Sequence, residues 1–453
     1  AWGVTYMKGD TIDFFVEDCR PGGETGWQYR RGDDKWHDFE RRTEVIHRKG
    51  NDDLRLPVYE NDVGILETDP TSDGAGYYLS TSWAGRHVSS AKAVTTWLDL
   101  TRAQSVTEAM DVVSHCTQPT LCFVMADRKG HIGLQGCGSF PRRRGRHSGL
   151  APLPAWDSRN HWQGWLDRSL LPSVYDPPEG FVATANEENN PPDGPLLVTQ
   201  TVHDYRLRRI QERLRELPRA TVDDMQRLQY DVVSVQAREF LDIVLPHLPE
   251  SAMKSQLAAW DFSYDADSTT ATLFQRLYRY TMMELLGHER GIGWRRMVYL
   301  CSRAGFSSMV LTAADRLLRR DQSWWWHGRN KGEMFRRAAA KLTAEDRQVP
   351  WSEVNYFHFA NRFFSNHRVG RLLGYHTKSI PMPGCHATPF QGHVFQTARR
   401  EATFAPSYHM VTDMGTDQIW SNLPGGPSES RFSSFYRNDI PRWVTGEYKI
   451  VRV

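Results

Sequence analysis

The stretch Ala1-Trp2-Gly3-Val4-Thr5-Tyr6, followed by Asp10-Thr11-Ile12-Asp13, opens the chain with no initiator Met, cap or turn. Trp2 and Val4 fall on one face at period two, with Gly3 and Thr5 on the other, which predicts a β-strand from the outset. A loop carrying two carboxylates is expected next. A first strand needs a neighbour, so this opening predicts a piece of a longer protein, with part of the chemistry encoded before Ala1.

The 453 residues are 40% hydrophobic and 24% charged, enough for one very large core or about two to three ordinary domains. Sixteen Trp and 12% aromatic content rule out a disordered chain. A net charge of +2 gives no long-range field toward nucleic acid or membrane, and neither is expected as a partner. The basic run Arg142-Arg143-Arg144-Gly145-Arg146 has no interleaved aromatics and reads as a solvated loop. No apolar run reaches bilayer length. The six Cys lack zinc-ligand spacing. Cys116 and Cys122 are placed to close a short disulfide loop in an oxidising compartment, and ordinary buried thiols explain them equally well.

Working along the chain, Glu44–His47, Leu56–Tyr59 and Tyr77–Trp83 read as short strands, and Ala91–Thr101 as a helix. A second helix starts from a capping box, Ser105-Val106-Thr107-Glu108. Leu121–Met125 and His131–Gln135 form a hairpin about Asp127–Gly130, and 141–180 is a long ordered loop region. The pattern turns helical from Val202 and returns to strands and turns near Pro381, ending in a strand at Glu447–Val453. Residues 1–200 and 381–453 are thus mainly sheet and loops, and 201–380 mainly helical. This order predicts one large α+β unit over 1–453, its sheet completed by both ends of the chain.

There is no G-x-S-x-G elbow, P-loop, dinucleotide fingerprint or H-E-x-x-H, and no organic cofactor is expected. What remains is a set of short patterns in fixed order. Trp2-Gly3-Val4-Thr5 precedes Asp10-x-x-Asp13 and Glu17. Ala126-Asp127-Arg128-x-Gly130-x-Ile132-Gly133 precedes Gly138, Pro141 and Arg143. Val174-Tyr175-x-Pro177-x-x-Gly180-Phe181-Val182-x-x-Ala185-Asn186 precedes Tyr205-Arg206-x-x-Arg209-Ile210. Gln229-x-Asp231-x-x-Ser234, Trp260-Asp261, Tyr408 with Asp413, Pro424-Gly425-Gly426-x-Ser428 and Trp443-x-x-Gly446-x-Tyr448 complete the series. Together they resemble the β-chain of the penicillin acylase family, N-terminal-nucleophile hydrolases that include cephalosporin and acyl-homoserine-lactone acylases. The resemblance runs from Trp2 to Tyr448 and is loosest over 280–400.

The resemblance implies an α+β fold, a four-layer αββα sandwich. It implies a precursor cut autocatalytically into an α-chain and a β-chain, in the periplasm or outside the cell. The nucleophile is then a Ser at the new β-chain N-terminus, outside this sequence, with its own α-amine as base. A free α-amine titrates near pKa ~7.7–8.0, close to working pH. The α-chain and a small N-acylated substrate are the implied partners. Asn186 matches the side-chain donor to the oxyanion, Tyr6 the residue whose backbone N–H is the second donor, and Arg206 the active-site Arg. Val4 and Leu121 match positions lining the acyl pocket. Asp10, the Ile12 carbonyl and Asp13 match a structural calcium site found in part of the family, with Asp193 as a remote ligand. Two other readings remain: a catalytically inactive acylase-like scaffold acting as a binding protein, and a polysaccharide-binding module built on Ser323-Trp324-Trp325-Trp326-His327.

Overall fold

The computed structural model describes residues 1–452 apart from 89, 147, 201, 289–290, 302–303, 327, 344–346, 362, 365–366 and 393–404. It divides into two compact units, Trp2–Gln200 and Thr201–Val453.

The first unit runs β1 (Trp2–Tyr6), β2 (Ile12–Pro21), β3 (Trp27–Arg31), β4 (Lys35–Asp38), β5 (Glu40–Ile46), β6 (Leu54–Glu60), β7 (Ile65–Leu66) and β8 (Gly76–Trp83). Helices α1 (Ala84–His87), α2 (Ser90–Leu100) and α3 (Val106–Ser114) follow, then β9 (Leu121–Ala126), β10 (Ile132–Cys137), β11 (Leu153–Pro154) and β12 (Ser173–Tyr175). One sheet has the order β1-β9-β10-β12; the other runs β4-β3-β2-β8-β7-β6-β5, with β11 added alongside β2.

The expected hairpin is present: β9 and β10 pair antiparallel, and the Asp127 carboxylate accepts from Lys129 N–H at 2.9 Å to tie the turn. Leu121, Phe123 and Met125 share one face of β9 and pack with Val106, Ala109 and Val113 of α3 in one buried cluster. Each such side chain, fully buried, contributes roughly 1.5–3 kcal/mol. Ser105 caps α3 by accepting from Glu108 N–H at 3.1 Å, but Glu108 reaches back to Gln104 N–H rather than to Ser105.

The expected carboxylate loop is only partly a loop, because Asp13 lies inside β2. Along that strand Asp13, Phe15, Glu17 and Cys19 are buried in alternation. Two of these four are acids, which breaks the apolar rhythm that marks a strand in sequence. Each is tolerated because a guanidinium meets it: Arg143 Nε lies 2.8 Å from Asp13, and Arg31 Nη1 lies 2.7 Å from Glu17.

In the second unit helices dominate from Tyr205 to Leu372: α4 (Tyr205–Arg215), α5 (Val222–Gln229), α6 (Val235–Val244), α7 (Ala252–Ala258), α8 (Thr269–Leu285), α9 (Trp294–Cys301), α10 (Ala304–Leu318), α11 (Lys331–Thr343), α12 (Trp351–Val354) and α13 (Arg368–Leu372). Strands β13 (Tyr356–Phe357), β14 (Ile380–Pro381), β15 (His409–Asp413), β16 (Gln418–Asn422) and β17 (Lys449–Arg452) complete it, with α14 (Ile440–Thr445) before the last. Phe240, Phe274, Tyr278, Phe335 and Trp351 centre its core. Trp326 is buried there while Trp324 is exposed, so the Trp run covers an apolar surface; His327 lies outside the described residues.

The expectation of a sheet closed by both chain ends is not met. Among the described residues β15, β16 and β17 pair only with one another, as a three-stranded sheet of their own. Their partners are near in sequence, so the ladder closes without distant strands.

Asp315 sits in the middle of the helical core and accepts from Tyr278 Oη at 2.7 Å, Gln236 Nε2 at 2.7 Å and Tyr205 Oη at 3.0 Å. Burial pushes its pKa up to about 6, against the pull of these donors and of Arg319. The native state therefore holds this proton more tightly than the unfolded chain, where an Asp has pKa ~3.9. Its contribution to stability is complete below about pH 4 and is lost as pH rises through about 6, up to about 3 kcal/mol. Unfolding of the intact protein followed by denaturant at stepped pH should show this loss, and Asp315→Asn should remove that part of the slope. An identical pH profile in the variant would refute the assignment.

Candidate active site

β1 is the edge strand of the four-stranded sheet. Just past it, Met7 N–H donates to the Thr120 carbonyl at 3.1 Å, on the β9 side. Main-chain groups alternate in direction along a strand, so the N–H and C=O of Tyr6 point to the outer edge. There the side-chain amide of Asn186 donates to the Tyr6 carbonyl at 2.8 Å. The two residues stand 180 positions apart in sequence and meet on one edge. Tyr6's own side chain is exposed, so its main chain is what this edge uses.

The loop that carries Asn186 is folded around a buried carboxylate. Glu187 accepts from Ala185 N–H at 2.6 Å, Thr184 Oγ1 at 3.0 Å and Asn189 Nδ2 at 3.2 Å. Thr184 Oγ1 also lies 2.8 Å from Thr5 Oγ1, which ties the loop to β1. Asn190 fixes the return, its Oδ1 accepting from Leu197 and Val198 N–H, both at 2.8 Å. Asn186 has φ of 65°, in the left-handed region that Asn tolerates better than most residues. In sequence, Glu187 to Asn190 look like an ordinary polar loop. The role of Glu187 was not legible there, since nothing in the composition marks one acid of the run as buried.

Val4 and Leu121 lie on the same face of the sheet. Val4 is opposite Phe123 in register, and Leu121 is opposite Tyr6. Leu121 is buried against α2 and α3, whereas Val4 is 41% exposed. Arg206 belongs to the other unit, in the first turn of α4. Its neighbours Arg208 and Arg209 are paired with Glu239 and Asp231.

The residues expected to hold calcium are arranged differently. Asp10 Oδ1 lies 3.2 Å from Arg143 Nη2, and Asp10 Oδ2 accepts from Thr199 Oγ1 at 2.8 Å. Asp13 takes Arg143 Nε on both oxygens, at 3.1 and 2.8 Å, and Trp162 Nε1 on one of them. All four carboxylate oxygens thus have a donor, and the cation they face is a guanidinium. Ile12 pairs with Trp83 in the sheet, and Asp193 lines a cavity of about 480 Å³ with Arg143 and Arg146. Among the described residues no group of three or more His, Cys, Asp or Glu is placed to hold a metal. As arranged, this set does not fit a calcium shell, which wants several free oxygens around one point. It also shows that the basic run is not wholly solvated, because Arg143 is buried within it.

Gly149 accommodates the pair: at φ of 92°, a Cβ there would stand 2.4 Å from Asp13 Oδ1 and 2.7 Å from Arg143 Nε. A chelator is expected to leave the melting temperature of the intact protein unchanged, and Gly149→Ala to lower it. A clear fall on chelation would restore the metal reading.

A family model described as penicillin amidase matches residues 1–453. The chain belongs to the penicillin amidase family. Among curated relatives, it is 27% identical to the acyl-homoserine lactone acylase QuiP of Pseudomonas syringae pv. syringae, over 100% of this chain and 58% of that protein. It is 26% identical to the penicillin acylase 2 proenzyme of Pseudomonas sp. strain SE83, over 93% of this chain and 54% of that one. A shorter match reaches 29% identity with Escherichia coli penicillin G acylase, over 54% of this chain and 28% of that one. The chain thus spans little more than half the length of the longer-matching relatives. The thermostable penicillin G acylase of Alcaligenes faecalis superposes with a TM-score of 0.71 at 17% identity, covering 100% of this chain and 85% of that one. That likeness shows the fold, the α+β architecture of that penicillin G acylase.

Proposed function

We propose that this penicillin-amidase-family chain is the β-chain portion of an amide hydrolase that removes the acyl group from a small N-acylated molecule. The observation that carries the reading is the meeting of the Asn186 amide with the Tyr6 main chain on the outer edge of β1. An amide nitrogen has two N–H bonds, and the Tyr6 carbonyl takes one of them. The Asn186 amide and the Tyr6 N–H, on the same edge, are the donors that would receive the oxygen of a tetrahedral intermediate. Such donors are neutral and preorganised, so they need no rearrangement as charge develops. The attacking group is a Ser at the start of the β-chain, supplied by the longer protein, with its α-amine as base. Val4 with Leu121 gives the acyl pocket an apolar wall, and Arg206 is proposed as the active-site Arg on its match to the family motif alone. The partner is an α-chain from the same precursor, and the site of action is periplasmic or extracellular. Relatives named as penicillin and acyl-homoserine lactone acylases support the reaction type without choosing the leaving group.

The intact protein, incubated with acyl-homoserine lactones and acylated β-lactam amines of graded chain length, should release free amine. Absence of release across both series, or a residue other than Ser, Thr or Cys at the processing point of the full-length gene, would overturn the proposal in favour of a binding scaffold.

A further inference from the structure

Four of the cysteines lie in the first unit, and the register of its sheet sorts three of them. Cys122 is one residue out of phase with Leu121 and Phe123, which face the helices, and its sulfur instead accepts from Asn189 Nδ2 at 3.5 Å on the opposite side. Cys137, the last residue of β10, stands opposite Leu121 and therefore faces the helices. Cys116, two residues past α3, belongs to the same buried cluster as Cys137. The two segments are stitched by Gly138 N–H to Cys116 O at 3.0 Å and Ser139 N–H to Thr117 O at 2.8 Å. Their sulfurs bracket one turn: Cys116 Sγ lies 3.4 Å from Gln118 O, and Cys137 Sγ lies 3.7 Å from Pro119 O. Both side chains thus enter one buried cluster beside the same turn. Cys116 and Cys122 are thus buried free thiols on opposite sides of the sheet, not the closed short loop that spacing alone allows.

We infer that Cys116 and Cys137 are an oxidisable pair that closes into a disulfide, pinning the end of α3 to the end of β10. The oxidant is a small-molecule or protein disulfide. One cysteine thiolate attacks it, forming a mixed disulfide and releasing one thiolate. The second cysteine, deprotonated, attacks the protein sulfur of that mixed disulfide and releases the other thiolate. Two protein S–H bonds and one external S–S bond become one protein S–S bond and two external thiols. Both thiols are buried in the folded unit, so the bridge closes while α3 is still docking onto the sheet.

The test uses the full-length protein refolded with oxidised glutathione, alkylated after denaturation without reductant, and digested with trypsin. The peptide 103–128, which holds both Cys116 and Cys122, should appear linked to 130–142, which holds Cys137. Fragmentation should place the link at Cys116. Cys122→Ser should keep the link, and Cys116→Ser should lose it. Reductant should lower the melting temperature of the oxidised wild type and leave that of Cys137→Ser unmoved. Complete alkylation of both peptides after oxidation, or a link placed at Cys122, would overturn the inference. The wild-type peptide map decides the matter even if a serine variant fails to fold.

Discussion

Replacing Asn186 by Gly in the complete protein is expected to lower kcat by about 10²–10³-fold, equivalent to about 2.7–4 kcal/mol of barrier, with KM little changed. Glycine is the informative choice because Asn186 has φ of 65°, where glycine is at ease and alanine is strained. The substitution removes the amide and leaves the backbone conformation available. Asn186→Asp keeps the shape but replaces a donor by a negative charge facing a developing oxyanion, and should be at least as inactive. Asn186→Ala should match the glycine variant in rate while melting slightly lower. Initial-rate kinetics on a substrate cleaved by the wild type, with circular dichroism to confirm the fold, make the comparison. Near-normal kcat in the glycine variant would remove Asn186 from the chemistry.

The second large effect is on stability. Glu17 is fully buried, and it accepts from Arg31 at 2.7 and 3.2 Å, Asn61 Nδ2 at 2.7 Å and Ser80 Oγ at 3.3 Å. Arg31 is itself mostly buried; burial opposes its charge, but its hydrogen bonds to Glu17 and Asp62 more than compensate and hold its pKa above the usual range. Glu17→Gln leaves the guanidinium with only the half-exposed Asp62 as an anionic partner. Breaking a buried pair from one side typically costs about 3–5 kcal/mol, because the remaining charge stays desolvated. Denaturant unfolding of the intact protein should show a lower midpoint at unchanged slope. The double variant Glu17→Gln with Arg31→Met should recover part of the loss. If the single variant unfolds at the wild-type midpoint, the pair is not structural.

Much of this architecture is written locally. β1, the Asp127–Gly130 hairpin and the Ser105 cap follow from period-two alternation, a turn-forming Asp-Gly combination and a capping hydroxyl. Each depends on residues a few positions apart. The ordered short motifs gave the family and singled out Tyr6 and Asn186, which the fold brings within 2.8 Å. What stayed hidden depends on partners far along the chain. Asp13 reads as part of a carboxylate loop, and nothing marks Glu17 as buried, because Arg143 and Arg31, which make their burial tolerable, lie 130 and 14 residues away. Glu187 is indistinguishable in sequence from Glu188, yet one is buried and the other exposed. The pairing of Cys116 needed the strand register, which spacing does not report. The final three-stranded sheet closes on itself, and apolar strands at both ends of a chain say nothing about which of them pair.

The Arg143 contact with Asp10 and Asp13 has a consequence best put as mass action. A divalent ion bound by carboxylates departs when its free concentration falls below its dissociation constant, so any order it confers depends on the surroundings. A guanidinium on the same chain has no free concentration to fall; its local concentration is set by the intervening residues and does not vary with the medium. The junction between β1 and β2, which leads directly into the Tyr6–Asn186 edge, is thereby held by a counter-charge that dilution and chelation cannot withdraw.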